Sequence, residues 1–216
     1  MVRQLADTFA FDWQFTTAET LVGDGWFPPL VPRGHVVARG IPDGPDEDLE
    51  TIQDALLGAL SQADQTVRIL TPYFLPDDAL VEALRIAALR GVRVDILVPA
   101  RGNLRVVEWA AKGQLTQVLR SGCRVWLSPP PFDHTKLMIV DGAWSLFGSA
   151  NLDPRSLRLN FEFCVECYDQ ALARRLGVLL DQRFAAARRY HLHEHQARGL
   201  PRRLRDGVAR LALPYL

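Results

Sequence analysis

The sequence predicts an α/β sandwich in which helices flank a mixed, largely parallel central sheet. Strand-like and helical stretches alternate from residue 35 to residue 129, a pattern typical of parallel strands joined by crossover helices. An Asp-Gly pair then separates two apolar runs, which is a strong signal for a β-hairpin. The 216 residues are 48% apolar, which is enough for one domain with a buried core.

The first segment, residues 1–34, is predicted to precede this domain. Leu5, Phe9 and Trp13 recur at helical spacing and predict a helix over residues 3–20. The stretch "GDGWFPPLVPRG" follows, and its glycines and prolines indicate a linker. We therefore expect the folded domain to begin at the strand-like stretch "HVVARGI".

The domain is predicted to span residues 35–190 and opens with the alternating elements. Apolar runs predict strands at 35–41, 66–74, 92–100 and 123–129. The helices between them are predicted at 46–63, 77–91 and 104–120. The first of these helices carries acids in its first turn, where they stabilise the helix dipole, and the second ends at a glycine.

A second group of elements completes the domain. The Asp-Gly pair lies between predicted strands 135–140 and 143–148, and a further strand is predicted at 160–168. A long helix is predicted at about residues 170–190. The sequence contains no internal repeat and no low-complexity segment.

Net charge and cysteine content limit the partners and the compartment that we expect. The net charge is zero, so there is no electrostatic argument for a nucleic-acid partner and none is expected. The three cysteines, Cys123, Cys164 and Cys167, form no disulfide framework and fit a reducing compartment. Cys164 and Cys167 have the spacing of a redox pair, but they lie in a strand-like run and are predicted to be packed in the core.

The candidate catalytic side chains are concentrated in the stretch "FDHTKLMIVDGAWSLFGSANLDPRSLRLNFE". His134 and Lys136 are two residues apart on a predicted strand, so their side chains should leave the same face. An imidazole can attack phosphorus or move a proton, and an ammonium can neutralise a phosphate oxygen as a compact charge. The chain has only two lysines among 25 basic residues, so arginine is its usual cation. A lysine beside this histidine therefore favours a functional role for the compact ammonium.

Three further polar residues follow on neighbouring predicted strands. Ser149 and Asn151, again two residues apart, can aim a hydroxyl and an amide at the same phosphate. Glu162 could accept a hydrogen bond from the far nitrogen of His134 and so fix its tautomer. Asp141 occupies the hairpin turn, where aspartate is favoured for backbone reasons, and we favour a structural role for it.

The pattern H-x-K-x4-D-x6-G-S-x-N is matched at every position, and it resembles the signature of the phospholipase D superfamily. The stretches "NLDPRSLRLNFE", "TPYFLPDDALVEAL" and "GPDED" resemble the bacterial cardiolipin synthase branch, over roughly residues 35–180. This resemblance implies a phospholipase D-type α/β sandwich and chemistry that needs no metal or cofactor. The residues that carry over are His134, Lys136 and Asp141 as the active-site motif, Ser149 and Asn151 as phosphate binders, and Glu162 as the partner of the histidine.

The chain departs from this family in one respect. Cardiolipin synthases carry two such motifs in two halves that face each other, one histidine forming a phosphohistidine and the other protonating the leaving alcohol. This sequence contains one motif, and its opening "FAFDWQFTTAETL" resembles the final helix of a first half. The chain therefore resembles a second half with a short remnant, whether from a truncated gene, as a fragment or as a natural single-motif protein. By analogy with the family, His134 is expected to be the acid and base.

Three hypotheses about function remain open at this point. The first is phosphatidyl transfer between phosphatidylglycerol molecules, with the second motif supplied by a homodimer or a separate chain. The second is the same chemistry with water as acceptor, in a phospholipase D or nuclease-type homodimer. The third is an inactive fragment that binds phospholipid or a partner chain.

The C-terminal residues 191–216 are predicted to form a basic tail. Residues 183–216 contain eight arginines and two acids, together with leucines and aromatic residues, and such a segment can lie on an anionic membrane. "HLHEH" could place His191 and His195 one turn apart for a metal, but no metal is expected in this charged helix end. With no apolar run of about 18–20 residues and no signal peptide, the expected location is peripheral, on the cytoplasmic side of the bacterial inner membrane.

Overall fold

The computed structural model describes residues 1–45 and 49–211. Within these residues eight strands form one sheet, in the spatial order β1-β7-β6-β5-β2-β3-β4-β8. The strands are β1 (Val37–Asp43), β2 (Thr66–Leu70), β3 (Arg93–Pro99), β4 (Arg124–Ser128), β5 (Leu137–Val140), β6 (Trp144–Gly148), β7 (Glu162–Tyr168) and β8 (Arg188–Tyr190). The helices are α1 (Val2–Thr17), α2 (Thr51–Gln62), α3 (Asp78–Leu89), α4 (Arg105–Arg120), α5 (Pro154–Arg158), α6 (Gln170–Ala186), α7 (Leu192–Gln196) and α8 (Leu200–Leu211).

The predicted α/β class and the flanking helices are confirmed, but the prediction of a largely parallel sheet is wrong. Only the β2–β3 and β3–β4 pairs are parallel among the described strands. The other pairs are antiparallel because β5, β6 and β7 form a meander and β8 returns along β4. β1 pairs antiparallel with β7 at the far edge of the sheet, so α2 does not connect neighbouring parallel strands.

Helix and strand positions follow the apolar pattern closely, with differences at the ends. The predicted helix 3–20 ends at Thr17, where Ala18 takes a left-handed conformation with φ 60°. The predicted helix 46–63 begins at Thr51, and the portion of that prediction at 46–48 lies outside the described residues. The last residues of the predicted helix 170–190 instead form β8, since the backbone becomes extended at Ala187.

The core has a layer on each face of the sheet. On one face α2, α3 and α4 contribute leucines such as Leu56, Leu84 and Leu115 to the larger cluster. On the other face Leu180 of α6 packs against Leu70 and other strand leucines. Alternation along the strands divides their side chains between these two layers.

The ends of the chain pack on this domain. Gln4 of α1 accepts a hydrogen bond from the backbone of Gly40 in β1. The described part of the predicted tail packs on α4, and Gly113 permits the close approach, since a Cβ there would lie 3.2 Å from the carbonyl oxygen of Asp206. Cys164 and Cys167 are buried free thiols, as predicted. None of the helices described is long and apolar enough to cross a membrane.

Candidate active site

The predicted site residues gather at one end of the sheet. β2, β6 and β1 end there, while the antiparallel strands β5 and β7 begin there. Leu70 at the end of β2 pairs with Leu137 at the start of β5, and Asp43 at the end of β1 pairs with Glu162 at the start of β7. Loops leaving this end carry the polar side chains, so the sheet fixes the positions from which they project.

His134 and Lys136 lie just before β5 rather than within the strand. Their side chains are nevertheless in contact. The Lys136 ammonium lies 2.8 Å from Nδ1 and 3.1 Å from Nε2 of His134, and donates a hydrogen bond to the His134 carbonyl oxygen at 2.8 Å. His134 is exposed and Lys136 is buried, so the histidine is accessible while the lysine is held beneath it.

Electrostatics favour a neutral imidazole in this arrangement. Burial lowers the pKa of His134, and the charge of Lys136 lowers this pKa further. Burial also lowers the pKa of Lys136, although the charges of Glu162, Asp153 and Asp133 oppose this effect. A protonated ring has no lone pair for the ammonium, so the Lys136–His134 contact belongs to the neutral form of the histidine.

Glu162 does not make the predicted hydrogen bond to His134. Its Oε1 accepts instead from Nδ2 of Asn160 at 3.1 Å. Its charge still acts on both members of the pair, since it raises the pKa of Lys136 and of His134 against the stronger effect of burial. In this structure Glu162 is an electrostatic neighbour of the pair rather than a ligand of the imidazole.

Ser149 and Asn151 follow β6 at the same end of the sheet. The Ser149 hydroxyl accepts a hydrogen bond from the backbone of Phe163 at 2.9 Å, and it is exposed. Asn151 donates through Nδ2 to the Ser156 hydroxyl at 3.1 Å. Its Oδ1 is buried without a hydrogen-bond partner among the described residues. An exposed hydroxyl and a fixed amide therefore lie at the same end of the sheet as the His134–Lys136 pair.

Asp141 lies at the opposite end of β5 from the pair. Its carboxylate accepts hydrogen bonds from the backbone N–H groups of Asp64, Gln65 and Thr66 at 2.8, 2.9 and 2.6 Å. Its φ of 52° is a left-handed conformation that aspartate tolerates better than most residues. These contacts join the β5–β6 turn to the start of β2, which fits the structural role favoured for Asp141. A direct chemical role for Asp141 stays a prediction.

The histidines of "HLHEH" are not arranged as a metal site. His191 precedes α7 and caps it, while His195 is buried, 2.8 Å from the Thr116 hydroxyl through Nε2. Burial lowers the pKa of His195 to about 4. Across residues 1–45 and 49–211 no group of three or more potential metal-binding residues occurs.

Comparison with known proteins gives a consistent result. A family model described as "Cardiolipin synthase, PLD-like domain" matches residues 56–184. This range includes every predicted site residue, from His134 to Glu162. The chain belongs to the cardiolipin synthase family of phospholipase D-like proteins.

Curated relatives in this family are longer than the chain. The major cardiolipin synthase ClsA of Bacillus subtilis is 34% identical over 100% of this chain and 45% of the relative. Cardiolipin synthase A of Pseudomonas entomophila is 36% identical over 98% of this chain and 44% of the relative. The chain thus spans less than half the length of these cardiolipin synthases.

Solved structures confirm the fold of this cardiolipin synthase-family chain. Nuc of Salmonella typhimurium, a phospholipase D family member, has a TM-score of 0.62 at 23% identity, covering 73% of this chain and 99% of that chain. Phosphatidylserine synthase of Haemophilus influenzae has a TM-score of 0.67 at 18% identity, covering 84% of this chain but 48% of that chain. Solved chains with this fold therefore occur both as one such unit and at about twice that length.

Sequence reasoning missed several residues around the pair. The rings of Tyr73 and Phe132 lie 6.0 and 5.9 Å from the His134 ring, centroid to centroid, and form one wall of the site. Asp153 caps α5 and accepts from the backbone of Ser156 at 2.7 Å. Its place before a proline is a helix-start signal that could have predicted α5. No local signal links Tyr73 to the histidine, since 60 residues separate them.

Replacing Lys136 by methionine is expected to raise the pKa of His134. The substitution removes the positive charge that disfavours the imidazolium, while the raising effects of Asp133 and Glu162 remain. The pKa can be followed from the His134 Cε1 proton in NMR spectra across a pH series. Lys112→Met is the matched control, because Lys112 pairs with Glu108 on α4 and should leave the His134 titration unchanged. An unaltered His134 pKa in the Lys136 variant would contradict this account of the pair.

Replacing Asp141 by alanine is expected to lower the free energy of unfolding by about 1–3 kcal/mol, because three backbone donors lose their acceptor. Asp141→Asn should cost less, since an amide oxygen can replace part of these contacts. Urea denaturation measures both effects. Any activity of the folded Asp141→Ala protein, assayed well below its unfolding midpoint, should stay within about threefold of wild type. A large loss of activity in a fully folded variant would assign Asp141 a chemical role.

Proposed function

We propose that this chain supplies half of a phosphatidyltransferase site of the cardiolipin synthase type. A phosphatidyl group would pass from phosphatidylglycerol to a histidine, and then to a hydroxyl of a second phosphatidylglycerol. The first step breaks the phosphorus–oxygen bond to glycerol and forms a phosphorus–nitrogen bond, and the second step reverses this exchange with the new alcohol. The observation that carries the proposal is the contact between exposed His134 and buried Lys136 at the open end of the sheet.

The Lys136 ammonium is placed where it could bind an incoming phosphate. In the free site the ammonium is held by the His134 ring and carbonyl oxygen. A phosphodiester oxygen is a stronger acceptor because it is charged. Binding of the phosphate would draw the ammonium from the ring and free a ring nitrogen at the moment when a reacting group is present. The Ser149 hydroxyl and the Asn151 amide would support the same phosphate.

His134 is proposed to act as the acid and base. It would protonate the departing glycerol oxygen in the first step and take the proton of the incoming hydroxyl in the second. Its lowered pKa suits removal of the proton from the incoming hydroxyl in the second step, and the nearby charges of Glu162 and Asp133 would help it to hold that proton until the first step of the next turnover. The attacking imidazole would then come from a second motif.

A second motif could come from another copy of this chain or from a separate chain. The sequence contains one H-x-K-x4-D motif, and the chain spans 45% of Bacillus subtilis ClsA. Exposed Leu104 lines a cavity with Tyr73 and Asn151, and exposed Phe161 directly precedes Glu162 in the chain. Such residues beside a polar site would suit an interface with a second unit.

A peripheral position on the cytoplasmic side of the bacterial membrane is part of this proposal. The proposed substrates are phospholipids, so the site has to meet a membrane surface. The three cysteines are free thiols, which fits a reducing compartment.

The reaction can be tested with vesicles that contain phosphatidylglycerol labelled in its acyl chains. Formation of cardiolipin with release of glycerol would support the transferase. Phosphatidic acid as the sole product would support hydrolysis by a phospholipase D-type homodimer. Absence of both products at every protein concentration, even with a motif-bearing first-half domain added, would leave a lipid-binding or partner-binding fragment.

A further inference from the structure

Helix α8 presents its apolar side chains to solvent. Leu200, Leu204, Val208 and Leu211 are 65%, 60%, 67% and 79% exposed, and their spacing of four, four and three residues places them on one side of the helix. The opposite side carries buried Asp206 and Ala209 and faces α4. A surface helix ordinarily buries its apolar side and exposes its polar side. In α8 this arrangement is reversed.

Specific contacts hold α8 in this orientation. The buried Asp206 carboxylate accepts hydrogen bonds from Arg198 and Arg205. The Arg205 guanidinium also lies 4.4 Å from the centre of the Trp109 ring on α4. Turning the helix over would expose these contacts and would bury leucines against the close approach at Gly113. The exposed leucine stripe, defined as Leu200, Leu204, Val208 and Leu211, is therefore imposed by the packing.

Unpaired positive charge accompanies the leucine stripe. Arg202 and Arg203 are exposed and make no ion pair with any residue that the structure describes. Residues 183–216 as a whole carry eight arginines against two acids, in a chain whose net charge is zero. At about 100° per residue, Arg203 flanks the stripe, whereas Arg202 lies on the side of the helix that faces α4. An apolar face flanked by an unpaired arginine matches the boundary between acyl chains and anionic headgroups.

The helix also lies close to the candidate active site. Ala209 packs in a cluster with Leu75 and Ala110, and Tyr73 packs against this cluster. The ring of Tyr73 lies 6.0 Å from that of His134, centroid to centroid. One layer of side chains therefore separates α8 from the wall of the site.

We propose that α8 docks this protein on an anionic lipid surface through its leucine stripe. The choice of lipid rather than a protein as the occupant rests partly on the proposed function, and it also rests on the unpaired Arg203 that flanks the stripe. A helix of 12 residues is about 18 Å long, so it would lie in the interface and would not cross the bilayer. Docking would bring the protein to the membrane that contains its proposed substrates.

Vesicle sedimentation tests the proposal with the full chain carrying His134→Ala, so that the lipids stay unchanged. The probes are vesicles of phosphatidylcholine alone and of phosphatidylcholine with an equal amount of phosphatidylglycerol. Binding to the anionic vesicles should be at least about tenfold tighter, and R203Q should remove most of this preference, since each arginine near an anionic surface is worth about fivefold. L204S/V208S should weaken binding about 30-fold or more through lost apolar burial.

The matched control is I86S/L89S, which removes two exposed apolar side chains from α3. It should bind within about twofold of the parent chain, and circular dichroism should show equal melting for all variants. Equal vesicle binding by L204S/V208S and the parent would overturn the proposal. So would a change of oligomeric state in L204S/V208S without vesicles, because the stripe would then be a protein interface.

The outcome separates docking from the proposed reaction. Vesicle binding that depends on α8 would support docking, and if the wild-type chain then forms no cardiolipin at any concentration, even with a motif-bearing first-half domain added, this would count against the proposed function. Cardiolipin formation from short-chain phosphatidylglycerol in solution, without vesicle binding, would support the reaction and overturn docking.

Discussion

Replacing His134 by alanine is expected to lower headgroup transfer by at least about 1000-fold, because the proton-transfer group of the site is lost. The measurement is cardiolipin formation from labelled phosphatidylglycerol, in whichever assembly of the chain proves active. His134 is exposed and lies outside the strands, so the substitution should leave the fold intact. The free energy of unfolding should change by less than about 1 kcal/mol.

His193→Ala is the matched control for this variant. His193 is exposed on α7 and its ring stacks on His191, away from the Lys136 contact. Its removal should leave the rate within about twofold of wild type. A His134→Ala protein that keeps more than about a tenth of the activity would show that the histidine is not the acid and base of the reaction.

A strict monomer of this chain is expected to have no measurable transferase activity. The proposed chemistry needs an attacking imidazole and a protonating imidazole, and His134 can be only one of them. Loss of a single aimed donor can cost about 100- to 1000-fold in rate, so loss of a second histidine, lysine and hydroxyl should cost more. Mass in solution and activity should be measured together across a concentration series.

The dependence on concentration distinguishes the possible assemblies. Activity that rises as a dimer forms would indicate a two-fold interface, which brings the same face of both copies together. Activity that appears only after addition of a motif-bearing first-half domain would indicate a split enzyme. Full activity at the mass of one chain, independent of concentration, would contradict the half-site proposal.

Local patterns predicted much of the fold and part of the site. The Asp-Gly pair predicted the β5–β6 hairpin correctly because a tight turn is specified by adjacent residues. The spacing of two predicted that His134 and Lys136 leave the same face, and their side chains are in contact although β5 begins only at Leu137.

Strand pairing between distant parts of the chain could not be predicted from local patterns. Nothing local indicates that β1 joins the far edge beside β7, because Ile41 and its partner Cys164 are 123 residues apart. The hydrogen bond expected from Glu162 depended on side-chain positions across two loops, and Asn160 provides a nearer donor. Side chains that meet through the tertiary fold, such as Tyr73 and His134, carry no periodic signal in the sequence.

The length of strand β5 limits which insertions and deletions this domain can accept. Its four residues are all buried, and it is joined to β2 by the Asp141 contacts at one end while Lys136 precedes it at the other. Deleting or inserting one residue between these two ends would shift the chain by about 3.3 Å and turn alternate side chains to the opposite face. Lys136 would then leave the phosphate side, or Asp141 would lose its three donors. Substitutions that keep the length of this segment should therefore be tolerated far better than any single-residue insertion or deletion.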